Sequence, residues 1–175
     1  LKKLKKAVTK FQPDFIFHLA AQSLVNISYE KPLDTWKSNL IGTINVLESM
    51  KYLKRKCVCV IVTSDKCYRN LELKKGYKET DELGGYDPYS ASKGAAEIAV
   101  RSYIKSFLSN SNKYRIATAR AGNVVGGGDW SPGRLIPDCI KTVQLNKITQ
   151  IRNINSTRPW EHVIELIYGY LKLSM

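Results

Sequence analysis

A tyrosine and a lysine four residues apart on a helix share one face, and an ammonium beside a phenol favours the phenolate. Such a pair is a general base for a hydroxyl that must lose its proton as its carbon loses hydride. The sequence holds the Tyr-x-x-x-Lys spacing three times, at Tyr52/Lys56, Tyr89/Lys93 and Tyr168/Lys172. Ten tyrosines and 20 lysines in 175 residues produce about one such spacing by chance, so context must separate them. Tyr52/Lys56 closes a helix inside a lysine cluster, and Tyr168/Lys172 falls in a terminal helix. Tyr89/Lys93 directly follows Pro88, which suits a first helical turn, and Ser64 stands at a strand end 25 residues upstream. Ser64, Tyr89 and Lys93 make a set for reversible alcohol oxidation, with Ser64 hydrogen-bonding the same substrate hydroxyl.

The elements that must hold these residues follow from periodicity. FIFHLA (15–20) is a continuous apolar run and predicts a buried parallel strand. Apolar steps of three and four predict a helix over 32–50. CVCVIV (57–62) predicts a second buried strand that ends at polar TSDK (63–66). A charged loop over 69–87 leads to a helix over 88–108, then to a third strand, RIATARA (115–121). GNVVGGGDWSPG (122–133) reads as a glycine-rich loop, followed by a short helix over 135–145, an extended piece at 150–152, and an amphipathic helix from Glu161. Alternating strands and helices predict an α/β fold, a doubly wound parallel sheet with helices on both faces. Ligands bind beyond the carboxyl ends of such strands, here HLAAQ (18–22), TSDK and ARAGN (119–123).

Composition narrows the function classes. Hydrophobic residues make up 43% and charged residues 25%, which excludes a disordered tail, and no apolar window is long enough for a membrane helix. The net charge of +13 comes from 20 Lys and 8 Arg against 15 Asp+Glu. It is scattered over helix ends and loops without the arginine forks and interleaved aromatics of nucleic-acid readers, so no nucleic-acid partner is expected. Cys57 and Cys59 share a strand face at a spacing too long for an unstrained disulfide. With Cys67 and Cys139 they predict buried thiols in a reducing, cytoplasmic setting. No metal site is expected. His18 reads as a strand-end histidine satisfied locally.

HLAAQ, TSDKCY (63–68), GGYDPYSASK (84–93), ARAGNVVGGGDW (119–130), RLIPD (134–138) and TRPWEHV (157–163) together resemble the extended short-chain dehydrogenase/reductase superfamily. Within it they resemble the branch of NAD-dependent 4,6-dehydratases that act on CDP-glucose. The resemblance implies a Rossmann-like fold, NAD as cofactor, a nucleotide sugar as substrate, and a homo-oligomer at full length. It implies that Tyr89 takes the proton of the sugar 4-hydroxyl while hydride leaves C4, with Lys93 tuning Tyr89 and holding the nicotinamide ribose. Asp65 is placed to protonate the departing 6-hydroxyl. Related dTDP-glucose enzymes have an Asp-Glu pair, and Lys66 stands here at the second position. An ammonium cannot accept a proton, so a base role would require a depressed Lys66 pKa. By the same resemblance Ala20, Ala21 and Gln22 pass close to the cofactor, with Asn39 and Arg120 in its shell. Asn123, Arg134 and Arg158 meet the nucleotide diphosphate, and His162 sits near the same nucleotide.

The eleven glycines contain no GxGxxG, the turn that receives a dinucleotide pyrophosphate. The chain is therefore expected to be the middle of a domain whose first strands and C-terminal part lie outside it. Residues 1–133 would carry the central and later part of the NAD-binding domain with the catalytic residues, and 134–175 the start of the nucleotide-sugar region. Alone, this segment is expected to be inactive, not to bind NAD, and to self-associate through the exposed edge of FIFHLA. Another epimerase or reductase of the superfamily, or a non-enzymatic basic binding module, is the alternative.

Overall fold

Three apolar runs form three parallel strands, β1 (Phe15–His18), β2 (Cys57–Val62) and β3 (Tyr114–Ala119), in the order β1-β2-β3. Phe15 lies opposite Val58 and Cys57 opposite Tyr114, so the three carboxyl ends finish side by side. The structure, a computed structural model, describes residues 1–108, 112–151 and 153–175. It divides into two compact units, Leu1–Ala121 with Tyr170–Met175, and Gly122–Gly169. The glycine-rich run 122–133 therefore packs with the residues that follow it.

In the first unit, α1 (Lys2–Phe11) precedes β1, and helices make both crossovers that parallel neighbours require. The first crossover holds α2 (Val25–Glu30) and a continuous helical run made of α3 (Pro32–Trp36), a π turn (Lys37–Ile41) and α4 (Gly42–Met50). The second holds α5 (Pro88–Tyr103), which runs on as a π turn (Ile104–Leu108). Cys57, Cys59 and Ile61 project from one face of β2 onto Leu47 and Met50 of α4 and Val100 of α5, and all six are buried. Each large apolar side chain removed from water there contributes about 1.5–3 kcal/mol. That packing holds α5, and with it Tyr89 and Lys93, against the sheet.

Several expectations need correction. FIFHLA is strand only over 15–18 and is not buried on both faces. Ile16 packs on the core, but Phe15 and Phe17 at alternate positions are 52% and 37% exposed. An apolar run cannot report how many of its faces are covered. β1 is an edge strand, hydrogen-bonded to β2 alone among the described residues. All four cysteines are free, and Cys139 is half-buried rather than buried.

In the second unit the expected glycine-rich loop contains β4 (Asn123–Val125), which pairs in parallel with β5 (Trp160–His162). The strands approach closely because residue 122 is glycine; a Cβ there would lie 2.6 Å from the Pro159 ring. Helix α6 (Leu135–Gln144) lies between the two strands in sequence, and α7 (Val163–Leu173) follows β5. Residues 150 and 151 are not strand, and Arg152, the end of the expected extended piece, lies outside the described residues. No helix among the described residues is long and apolar enough to cross a membrane.

Candidate active site

The start of α5 is fixed by its own residues. The Asp87 carboxylate accepts from the Ser90 backbone N–H at 2.9 Å and from the Ser90 hydroxyl at 2.6 Å, and Pro88 fills the first helical position. The incoming loop lies directly on this turn. A Cβ on Gly85 would stand 2.3 Å from the Ser90 Cβ, so only glycine fits. Tyr89 thus occupies the first turn and Lys93 the next, and both are buried. Lys93, 6% exposed, donates from Nζ to the Val62 carbonyl at 3.1 Å, where β2 ends. Burial holds its pKa below the usual lysine value, against a smaller opposing influence of Cys67. A charge carried at that disadvantage is drawn to any anion that forms beside it, as a phenolate would.

Beyond β2, the buried Ser64 caps a short turn, Asp65–Cys67. Its hydroxyl accepts from the Lys66 backbone N–H at 3.2 Å and donates to the Asp65 carboxylate at 3.0 Å. Asp65 and Lys66 are half-buried. The turn is tied to the strand beside it, since the Thr63 N–H donates to Ala119 and the Asp65 N–H to Ala121. Cys67 is fully buried, and burial above all pushes its thiol up to about 12, so it stays protonated.

A second polar network joins the end of β1 to α5. Asn39, in the π turn and 2% exposed, accepts the Gln22 backbone N–H at 2.8 Å and donates to the Gln22 carbonyl at 3.0 Å. It also donates to Ser92 at 2.9 Å, and Ser92 in turn donates to the Tyr89 carbonyl. Gln22 donates to Thr35, and Thr43 links the Asn39 carbonyl to the ring of His18. Burial lowers the His18 pKa, and the Lys93 charge lowers it further. Ala20 is exposed and Ala21 half-buried in the irregular segment after β1. Small side chains, a buried ammonium and fixed amides at the carboxyl edge of a parallel sheet fit a dinucleotide's nicotinamide end.

Arg120 has other commitments. Its guanidinium meets the Glu97 carboxylate at 2.9 Å, donates to the Glu79 carbonyl at 3.2 Å and lies 4.7 Å from the centre of the Tyr68 ring. Burial pushes the Glu97 carboxyl up, but the hydrogen bonds from Arg120 and Thr63, the Arg120 charge and the Thr118 hydrogen bond together hold it below its usual value. Sequence reasoning overlooked Glu97. The available signal was its position, four residues after Lys93 and eight after Tyr89 on one helical stripe.

The remaining expected residues belong to the second unit. The Asn123 N–H donates to the Pro159 carbonyl, which holds β4 against β5. Arg134 pairs with Asp129 at 3.2 Å, Arg158 donates to the Thr157 carbonyl at 2.8 Å, and His162 Nδ1 accepts from the Ile164 N–H at 3.3 Å. The residues expected to serve catalysis and the cofactor are thus gathered in the first unit, and the four expected to serve the substrate are carried by the second.

Comparison with known proteins supplies an independent line. A family model described as GDP-mannose 4,6 dehydratase matches residues 1–174. A CDP-glucose 4,6-dehydratase from Salmonella typhimurium is 45% identical over 173 residues, covering 97% of this chain and 48% of that protein. An epimerase structure from Methanothermobacter thermautotrophicus superposes with a TM-score of 0.85 at 24% identity, covering 99% of this chain and 51% of the other. A dTDP-glucose 4,6-dehydratase double mutant from Streptomyces venezuelae, with NAD and DAU bound, superposes with a TM-score of 0.83 at 21% identity, covering 97% and 50%. The likeness to solved structures establishes the Rossmann-like fold. The chain spans about half the length of these relatives.

Proposed function

The chain belongs to the GDP-mannose 4,6 dehydratase family, and from that premise we propose that it carries the proton-transfer centre of an NAD-dependent nucleotide-sugar 4,6-dehydratase acting on CDP-glucose. One observation carries the reading. A capped helix presents Tyr89 and Lys93 buried, with Lys93 reaching the end of the strand that continues into Ser64-Asp65-Lys66. Simple epimerisation at C4 needs the first pair but has no use for an acid at the strand end.

When bound, NAD would supply the hydride acceptor for C4 and the hydride donor for C6, so no net oxidant is consumed. Everything else falls to side chains. Tyr89 removes the proton of the 4-hydroxyl, and the Lys93 ammonium stabilises the phenolate that makes this possible. The 4-ketone acidifies the C5 proton, and water leaves across C5 and C6. Asp65 protonates the departing 6-hydroxyl; Ser64 donates to Asp65 and can turn to the 4-hydroxyl once a sugar is present. We assign the C5 proton to Lys66, which follows Asp65 in the same turn and could accept it only as the neutral amine. Ala20, Ala21, Gln22 and Asn39, with Tyr89 and Lys93, would hold the cofactor. Asn123, Arg134 and Arg158 serve the nucleotide diphosphate, to which guanidinium forks are suited, and His162 lies near the same nucleotide. At full length the enzyme forms a homo-oligomer.

The test uses the complete product of the gene that encodes this chain. Incubation with CDP-glucose and NAD is expected to give the 4-keto-6-deoxy sugar nucleotide. Recovery of a C4-epimerised sugar, or of unchanged CDP-glucose, would overturn the proposal.

A further inference from the structure

Glu97 is a charged residue that is 1% exposed, on a helix whose neighbouring turns carry Tyr89 and Lys93. Its carboxylate is fully used. Oε1 accepts from the Thr63 hydroxyl at 2.6 Å, and Oε2 accepts from the Thr118 hydroxyl at 3.0 Å and from the Arg120 guanidinium at 2.9 Å. Thr63 is the residue immediately before Ser64, and Thr118 lies in the last turn of pairing between β2 and β3. Arg120 extends the reach, because its second amino group donates to the Glu79 carbonyl and its guanidinium carbon lies 4.7 Å from the centre of the Tyr68 ring. One carboxylate therefore ties α5 to the ends of β2 and β3, and through Arg120 to Glu79 and Tyr68.

We propose that Glu97 and Arg120 form a clamp that sets the position of Tyr89 and Lys93 relative to Ser64 and Asp65, and that Arg120 acts through this clamp rather than by touching the cofactor. The inference rests on the dehydratase reading for its catalytic consequence. Its geometric basis is independent of that reading. A carboxylate on the apolar side of a helix is retained against the penalty of burial only where several donors converge on it, and all three donors here come from segments that bear or adjoin the reacting groups. Glu97 is a positioning residue: Lys93 lies between it and Tyr89 along the helix, and it acts by holding the frame. Misplacement of a reacting group by about 1 Å lowers a rate on the order of 100-fold, which sets the scale of the effect.

The experiment compares Glu97→Gln and Thr118→Val with wild type in the complete gene product, by steady-state kinetics and by backbone hydrogen exchange without ligand. Thr118→Val removes one hydrogen bond and no charge, so it keeps the test open where Glu97→Gln folds poorly. Glu97→Gln is expected to lower kcat by about 10- to 100-fold with KM for the nucleotide sugar changed by less than about threefold. Thr118→Val should lower kcat by a smaller factor in the same pattern. Exchange protection should fall together in segments 63–68 and 88–97 in both variants. Unchanged kcat in a folded variant, or loss of protection confined to the turn of α5 around residue 97, would overturn the clamp. Should wild type make no dehydrated product while the two segments still loosen together, the dehydratase reading fails and the clamp stands.

Discussion

The two compact units treat their polar side chains in opposite ways. In the first, Lys93, Glu97, Asn39, Ser64 and Ser92 are buried, and each has a named hydrogen-bond partner. In the second, no described residue of 122–169 is buried; Arg134 is half-buried and paired with Asp129, and Arg158 is exposed and donates to a neighbouring carbonyl. The difference matches the two kinds of work proposed for the units. Proton transfer needs groups whose pKa and position are fixed before the substrate arrives, and burial with full hydrogen bonding supplies both. Binding a hydrated, flexible diphosphate, the role proposed for this unit, suits long cationic side chains within reach of water, such as that of Arg158.

The contrast can be broken at its strongest point first. Tyr89→Phe removes one hydroxyl from the buried unit and is expected to lower product formation by about 1,000-fold with unchanged circular dichroism. A loss below about tenfold would mean that another group takes the proton. In the exposed unit, Arg158→Ala should raise KM for the nucleotide sugar roughly tenfold, leave kcat within about twofold, and alter stability by no more than about 0.5 kcal/mol. A kcat effect there would bring Arg158 into the chemistry and blur the division.

How much of this was legible in the sequence depends on the range of the interactions. The start of α5 was, because Asp87, Pro88 and Ser90 settle it among themselves, and so was the polar strand end at Ser64. The strand β4 was not: Asn123, Val124 and Val125 are extended because Trp160, Glu161 and His162 pair with them, and a glycine-rich run gives no local hint of that partner. Glu97 was hidden for the same reason. Its partners Thr63, Thr118 and Arg120 lie 34, 21 and 23 residues away, so in sequence it looks like one more solvated helix charge. The exposed Phe15 and Phe17 are the converse case, apolar residues whose cover no pattern along the strand can report.

The smallest expected effect sharpens the picture of the buried unit as electrostatically strained. His18 has its pKa lowered from 6.5, by burial and then by the Lys93 charge. The unfolded chain therefore binds a proton there that the native state refuses, and stability falls as pH drops from 6.5 through the lowered folded value. Denaturant unfolding from neutral to mildly acid pH should show this slope in wild type and a shallower one in His18→Asn. Parallel slopes would place the acid sensitivity elsewhere.

Isotope tracing tests the central claim most directly. CDP-glucose carrying deuterium at C4 is given, with NAD, to the complete gene product, and the product is read by NMR. The account predicts that deuterium leaves C4 and appears in the C6 methyl group, with the C4 carbon now a ketone. Deuterium retained at C4 of an unreacted or epimerised sugar would contradict it.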